Sequence, residues 1–351
     1  MSANRFPFPV PFGWFCVGFP DDVEIGEAKP LYYWERHLVA WRDAQGVLHV
    51  MDAFCPHLGA HLGHGGTVKG CEIACPFHGW QFDAEGHNVH IPYSARTNAK
   101  GRVRSYPVVE VNGISFAWYH PDESVAPMWD VPTFPEFTDD PDWSTDIRTS
   151  YEVETTWQEM AENGVDSAHF RFVHNTATVP ELESYETGFP RSHMRSSQKF
   201  PTPRGVMEGR IDTQSWGPGI SLVSFAGIVD TLNLAVTTPI ERDKCVVRFN
   251  FRFRTMGDPE TTQGVGKAFV NEVHKQVLED KPIWEHKAHL VRPALADGDG
   301  PFMKFRKWCA QFYAEPVGEG DERMVFPPPY WPDRLDEAPR KATASARLEN
   351  S

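Results

Sequence analysis

Apolar and polar positions change rhythm along the chain. From Trp14 to about His120, short apolar runs alternate with turn residues, the pattern of brief strands. His37-Leu38-Val39-Ala40-Trp41-Arg42 and Val47-Leu48-His49-Val50-Met51 flank Asp43-Ala44-Gln45-Gly46, which predicts a hairpin leading straight into Cys55. Trp80 to Gly86 repeats the strand-and-turn pattern, so this part reads as a small all-β unit. Residues 122–143 hold Pro127, Pro132, Pro135 and Pro141, which block regular structure and predict a linker. Beyond it, Glu159 to Phe172 has a helical pattern and residues 220–254 are strand-like. There Val247, Phe249, Phe251 and Phe253 alternate with Arg248, Asn250, Arg252 and Arg254, giving one apolar and one polar face. The apolar face reads as core by default and as a pocket wall otherwise. A second helix is predicted over Lys267 to Lys287, perturbed at Pro282, and residues 341–351 read as a frayed tail.

At 351 residues the chain is long enough for two domains. A net charge of -14 argues against nucleic acid as a partner, because phosphate binding needs surplus Lys and Arg. The six cysteines, Cys16, Cys55, Cys71, Cys75, Cys245 and Cys309, lack the spacing of a disulfide framework, which suits a reducing compartment. Arg5-Phe6-Pro7-Phe8-Pro9-Val10-Pro11-Phe12 is broken by prolines and has no signal-peptide core. No apolar run approaches the ~18 residues of a membrane span. A cytoplasmic protein with no membrane span is the expectation.

The chemistry is densest between Cys55 and His78. Cys55-Pro56-His57 and Cys75-Pro76-Phe77-His78 enclose a run containing Gly63, Gly65 and Gly66. Two Cys and two His in this order are the donor set of a Rieske [2Fe–2S] cluster, with Cys55 and Cys75 on one iron and His57 and His78 on the other. Neutral imidazoles in place of two thiolates raise the potential and suit an electron relay. A structural zinc site is the alternative, but zinc motifs usually begin with two Cys roughly two to four residues apart. His61 and His64 fall outside the two pairs and read as loop histidines.

A relay needs a destination, and a second constellation supplies one. Asn163, Asp166 and His169 are three apart and would share one helix face. His174 lies five residues beyond His169, turned away by about 140 degrees on a regular helix. The helix must therefore bulge or end between them if both are to meet one ion. Two His and one carboxylate make the facial triad of non-haem Fe(II) oxygenases. For the carboxylate the second helix offers Glu279 and Asp280, and pattern alone leaves both open. A zinc hydrolase is disfavoured by the lack of a His-Glu-x-x-His motif.

The two constellations, in this order, resemble the oxygenase component of a Rieske non-haem iron oxygenase over about Trp14 to Tyr313. Leu278-Glu279-Asp280-Lys281-Pro282-Ile283-Trp284-Glu285-His286-Lys287, Asp299-Gly300-Pro301 and the run from Phe305 to Tyr313 are similar to the 3-ketosteroid 9α-hydroxylase and cholesterol 7-desaturase branch. The resemblance implies an α+β fold. An N-terminal all-β Rieske domain would span 1–121, with 1–12 set against the catalytic domain, and a linker would span 122–143. A catalytic domain over 144–340 would wrap an antiparallel sheet around a long helix, in a helix-grip-like arrangement, before a tail over 341–351. It also implies Asp280 as third ligand beside His169 and His174 on a mononuclear Fe(II). A homotrimer would pass electrons between subunits, supplied by an NAD(P)H-dependent reductase or a ferredoxin.

On this reading Asp166 would bridge His78 to His169, and Asn163 would be a neighbour or weak ligand of the iron. The substrate would be a hydrophobic polycycle, a 3-ketosteroid or related sterol. Its pocket would be built from the Phe249 to Phe253 strand with Phe225, Leu222 and Trp216. Arg96, Lys100, Arg102 and Arg104 form a basic run that could dock an acidic redox partner, although a solvated face is the simpler reading. O-demethylation and aromatic-ring hydroxylation suit the same triad. A bare Rieske electron carrier would leave residues beyond about His120 without a purpose.

Overall fold

Eleven short strands between Gly13 and Tyr119 make three small antiparallel sheets in the computed structural model. It describes residues 5–314, apart from positions 139, 203, 204 and 228, with backbone alone at 200–202 and 205–207. The tail read at 341–351 lies outside the described residues. The expected hairpin pairs Arg36–Arg42 with Leu48–Asp52. Its turn is closed by Asp43, whose Oδ1 accepts the N–H groups of Gln45 and Val47, each at 2.9 Å. A four-stranded sheet of Thr67–Lys69, Glu72–Ala74, Gln81–Phe82 and Asn88–His90 carries the chain into and out of Cys75. Val39, Trp41, Met51, Leu62, Ile73 and Phe82 form the core on which Cys55 and Cys75 rest.

The second half is a seven-stranded antiparallel sheet. Its order is Ile147–Val153, Lys244–Phe253, Thr231–Glu241, Ile220–Ala226, Gly205–Trp216, Arg191–Thr202, Glu181–Thr187. Phe251 and Phe253 are wholly buried and pack with Val270 of the long helix. Each such ring contributes about 1.5–3 kcal/mol. The opposite, polar face of the same strand is largely covered, with Arg254 at its end exposed. Arg248 donates to the Tyr33 hydroxyl at 2.7 Å, and Arg252 binds Asp146 at 2.6 Å and the carbonyl of Glu136 at 2.7 Å. Asn250 is buried as well. The polar period therefore marks a contact with the N-terminal half rather than a solvent face.

Four α-helices occur among the described residues: α1 (Trp157–Ala161), α2 (Ala168–Phe172), α3 (Pro259–His286) and α4 (Phe302–Cys309). Two expectations need correction. Helix α3 begins at Pro259, ahead of Lys267, because Asp258 accepts the Thr261 N–H at 2.8 Å and proline suits the first helical position. It then runs through Pro282. The stretch Glu159 to Phe172 is not one helix. A 3-10 segment, Glu162–Val165, follows α1, and the backbone turns extended at Asp166 before α2. Asn163, Asp166 and His169 therefore do not line one helix face. As expected, helical structure does end between His169 and His174.

Residues 5–12 lie along the second half of the chain. The Phe12 N–H donates to the Phe312 carbonyl at 2.7 Å, Phe8 stacks on Tyr313 at 5.5 Å, and Arg5 donates to the carbonyls of Glu285 and Glu154.

Candidate active site and metal centres

The cluster donors sit on two matching turns. Gly59 N–H closes onto the Cys55 carbonyl at 2.9 Å, and Gly79 N–H onto that of Cys75 at 3.0 Å. Both glycines hold positive φ, 76° and 69°, which other residues adopt only with strain. These closing glycines, rather than Gly63, Gly65 or Gly66, repeat between the two turns, and a comparison of Cys55–Gly59 with Cys75–Gly79 would have found them. His57 and His78 come 4.7 Å apart at 72°, and His57 lies flat on Trp80 at 4.7 Å. Trp80 in turn donates to the Tyr93 hydroxyl at 2.7 Å.

Burial, with the Cys75 thiol beside it, pushes the Cys55 thiol up to about 11. His78 Nδ1 is buried without a hydrogen-bond partner. Two desolvated thiols and an orphaned imidazole lone pair facing one place are what a cationic cluster satisfies. The residues fit a Rieske cluster. Around them Phe54, Leu58 and Phe77 are exposed.

At the second site the ligand atoms of His169, His174 and Asp280 all lie within 4.8 Å of one another. His174 Nε2 is 3.3 Å from Asp280 Oδ2, and the two imidazoles are 5.2 Å apart. Asn163 Nδ2 is 3.1 Å from both His169 Nε2 and Asp280 Oδ2. Burial pushes the Asp280 carboxyl up to about 6, against the pull of His174 and Asn163, and burial also lowers His169. A carboxylate and two neutral imidazoles held out of water suit a divalent ion. Of the two acids left open by pattern, Asp280 faces the group, while Glu279 lies behind His174 at 2.9 Å from its Nδ1.

Asp166 Oδ1 accepts the N–H groups of Ala168 at 3.0 Å and His169 at 3.2 Å, and its carbonyl meets His169 Nδ1 at 2.5 Å. Its side chain thus caps α2, which explains the helix break. Within the chain it shares no hydrogen bond with His78. Gly300, in the Asp299-Gly300-Pro301 run, presses on this break: a Cβ there would stand 1.7 Å from the Val165 carbonyl oxygen.

A buried ion network, which the sequence did not announce, pins the helical segments that carry Asn163. Glu159 pairs with His289 at 2.6 Å and Lys287 at 2.9 Å, and Glu162 takes both Nε and Nη2 of Arg306 at 2.5 and 2.8 Å. Burial would raise Glu159, but His289 and Lys287 outweigh it and hold the carboxyl at about 2.

A cavity of about 670 Å³ opens onto Asn163, His169, His174 and Asp280 and runs between the sheet and α3. Phe225 and Phe249 line it as expected, together with Phe269 and Val277. Leu222 and Trp216 do not; they pack on the opposite side of the sheet with Phe134 and Ile220. Phe251 and Phe253 lie on the α3 side but are taken up by the core beside Val270 and do not line the cavity. The basic run is partly spent on structure. Arg102 pairs with Glu123 at 2.9 Å, and Arg104 donates to the Pro121 carbonyl at 3.4 Å and lies over the Tyr106 ring at 4.6 Å.

Comparison with known proteins agrees with this geometry. The Rieske [2Fe–2S] domain family matches residues 13–107, and the 3-ketosteroid 9α-hydroxylase C-terminal domain matches 117–313. A 3-ketosteroid-9-alpha-monooxygenase oxygenase component of Rhodococcus rhodochrous is 30% identical, over 86% of this chain and 84% of that protein. Cholesterol 7-desaturase of Caenorhabditis elegans is 29% identical, over 89% and 79%. A crystal structure of dicamba monooxygenase bound to dicamba superposes with a TM-score of 0.69 at 21% identity, over 86% of this chain and 96% of that one, and so shares the fold. The chain belongs to the Rieske non-haem iron oxygenases, in the branch that carries the 3-ketosteroid 9α-hydroxylase C-terminal domain.

Proposed function

We propose that this oxygenase component hydroxylates a C–H bond of a hydrophobic polycyclic substrate, a 3-ketosteroid or a related sterol. The observation that carries the reading is the 670 Å³ cavity, walled by Phe225, Phe249 and Phe269 and ending on His169, His174 and Asp280. Its size suits a rigid ligand of several fused rings. The relatives' names point the same way.

Cys55, His57, Cys75 and His78 would hold the [2Fe–2S] cluster, and His169, His174 and Asp280 the mononuclear iron. When bound, these groups supply single electrons and dioxygen activation, respectively. The chain supplies the rest. Asn163 donates to Asp280 Oδ2 and so orients that carboxylate, while the aromatic wall excludes water from the three ligands. Asp166 keeps Oδ2 free of partners among the described residues, which leaves it able to accept an imidazole N–H from His78 on another copy of the chain.

Such a neighbour is implied by exposed apolar side chains beside both ligand sets: Phe54, Leu58 and Phe77 near the cluster, Phe172 and Ile283 near the iron site. We read these as the two halves of one head-to-tail contact in a homotrimer, which sedimentation would confirm as three copies or refute as a monomer. We take the Rieske domain as 1–121, the linker as 122–143 and the catalytic domain as 144–340, of which 1–4 and 315–340 lie outside the described residues. The protein depends on a separate electron donor, which we take to be an NAD(P)H-dependent reductase or ferredoxin. No described helix is long and apolar enough to cross a membrane. All six cysteines are free, which suits the cytoplasm.

The test is an anaerobic binding screen over 3-ketosteroids, sterols and methoxy-aromatics, read at the iron and followed by product analysis. A steroid that perturbs the iron and returns hydroxylated is expected. Turnover confined to the methoxy-aromatics would overturn the steroid reading.

A further inference from the structure

We propose that Glu279 is a positioning residue for the mononuclear site, fixing the tautomer and orientation of His174 and strengthening it as a metal ligand. The proposal rests on the reading of His169, His174 and Asp280 as ligands.

A neutral imidazole carries one N–H and one lone pair. For Nε2 of His174, which faces Asp280 Oδ2 at 3.3 Å, to offer its lone pair to an ion, Nδ1 must carry the proton. The His174 side chain is only 2% exposed, so water cannot accept that proton. Glu279 Oε2, 2.9 Å from Nδ1, does. Glu279 and Asp280 are consecutive on α3, about 100° apart around its axis, so they clasp the ring from two sides. Lys275, one turn earlier, stands 3.8 Å from the other Glu279 oxygen and opposes its swinging away.

The two histidines are thereby unequal. His169 backs onto a neutral carbonyl, that of Asp166, whereas His174 backs onto a full carboxylate, and hydrogen bonds to ionised acceptors are roughly twice as strong. Such a partner raises the basicity of the ligand and typically governs metal affinity by ten- to a hundredfold. Glu279 does not line the cavity, so its removal leaves the substrate wall intact.

The experiment is anaerobic Co(II) titration of cluster-loaded protein depleted of its mononuclear metal, comparing wild type with Glu279→Ala, Glu279→Gln and His174→Ala. Affinity is read by chelator competition, and the Co(II) ligand-field bands and the Rieske absorption are recorded throughout. Glu279→Ala should weaken binding about ten- to a hundredfold. Glu279→Gln should weaken it less, because its amide oxygen still accepts the proton, and the Rieske spectrum should not change. Wild-type affinity in both Glu279 variants, with binding lost in His174→Ala, would overturn this proposal alone. Wild-type affinity in His174→Ala would overturn the ligand reading beneath it.

Discussion

The two metal sites of this chain are assembled in opposite ways. The cluster's donors arrive on two copies of one turn, Cys55–Gly59 and Cys75–Gly79, each closed by its own backbone hydrogen bond. The second site is drawn together from distant sequence: Asn163 and Asp280 hydrogen-bond across a separation of 117 residues. The first is specified by local stereochemistry, the second by how α3 docks against a seven-stranded sheet. A local site tolerates changes elsewhere in the fold, whereas a distributed one depends on every element that positions it. Buried ion pairs of Glu159 and Glu162 brace the distributed site.

This contrast can be broken most forcefully at Asp166. Asp166→Asn keeps the Oδ1 acceptor that caps α2 but removes the charge through which the two sites are proposed to communicate. Product formation should fall by about a hundredfold while metal analysis stays at the wild-type value. Near-normal turnover would mean that the sites are linked some other way.

Glu159 comes next, since it bears on the distributed site alone. Glu159→Gln breaks a buried pairing and should cost about 3 kcal/mol in denaturant unfolding at neutral pH. The sign of the pH dependence follows from the depressed carboxyl. Its contribution is complete above the ordinary carboxylate value of about 4.3 and is lost as pH falls towards about 2. Wild-type stability should therefore drop over that window by more than that of the variant, with the Rieske absorption reporting separately on the cluster. The smallest effect is expected on the cluster side. Tyr93→Phe removes the acceptor of the Trp80 N–H, and should cost about 1 kcal/mol without altering Co(II) binding at the distant site.

What could be read in advance follows the same division. The cluster donors, the hairpin before Cys55 and the strands over residues 220–254 are written in short-range spacing and period. The face of a strand is not, because one position of slip exchanges its two sides. Phe225 and Leu222, of opposite parity in Ile220–Ala226, cannot both face the cavity, and Leu222 turns to the core. Similarly, the alternation around Asn250 showed two faces but could not show that the polar one meets Tyr33. The start of α3 was legible in Asp258-Pro259, yet its first turn is too exposed to show an amphipathic period. The break at Asp166 was hidden because helical spacing looks the same on either side of it. Glu279 and Asp280 stood side by side with nothing to separate them until His174 was placed between their carboxylates.

The most direct test of the whole account is an iron and acid-labile sulfide count on anaerobically purified protein, paired with the reduced EPR spectrum, for wild type and His169→Ala/Asp280→Ala. Wild type should hold one iron per chain beyond the two of the cluster, and the double variant should lose that iron alone, with the Rieske signal unchanged. A wild-type chain with no iron beyond the cluster, or a variant that loses the cluster along with it, would contradict two separately built centres.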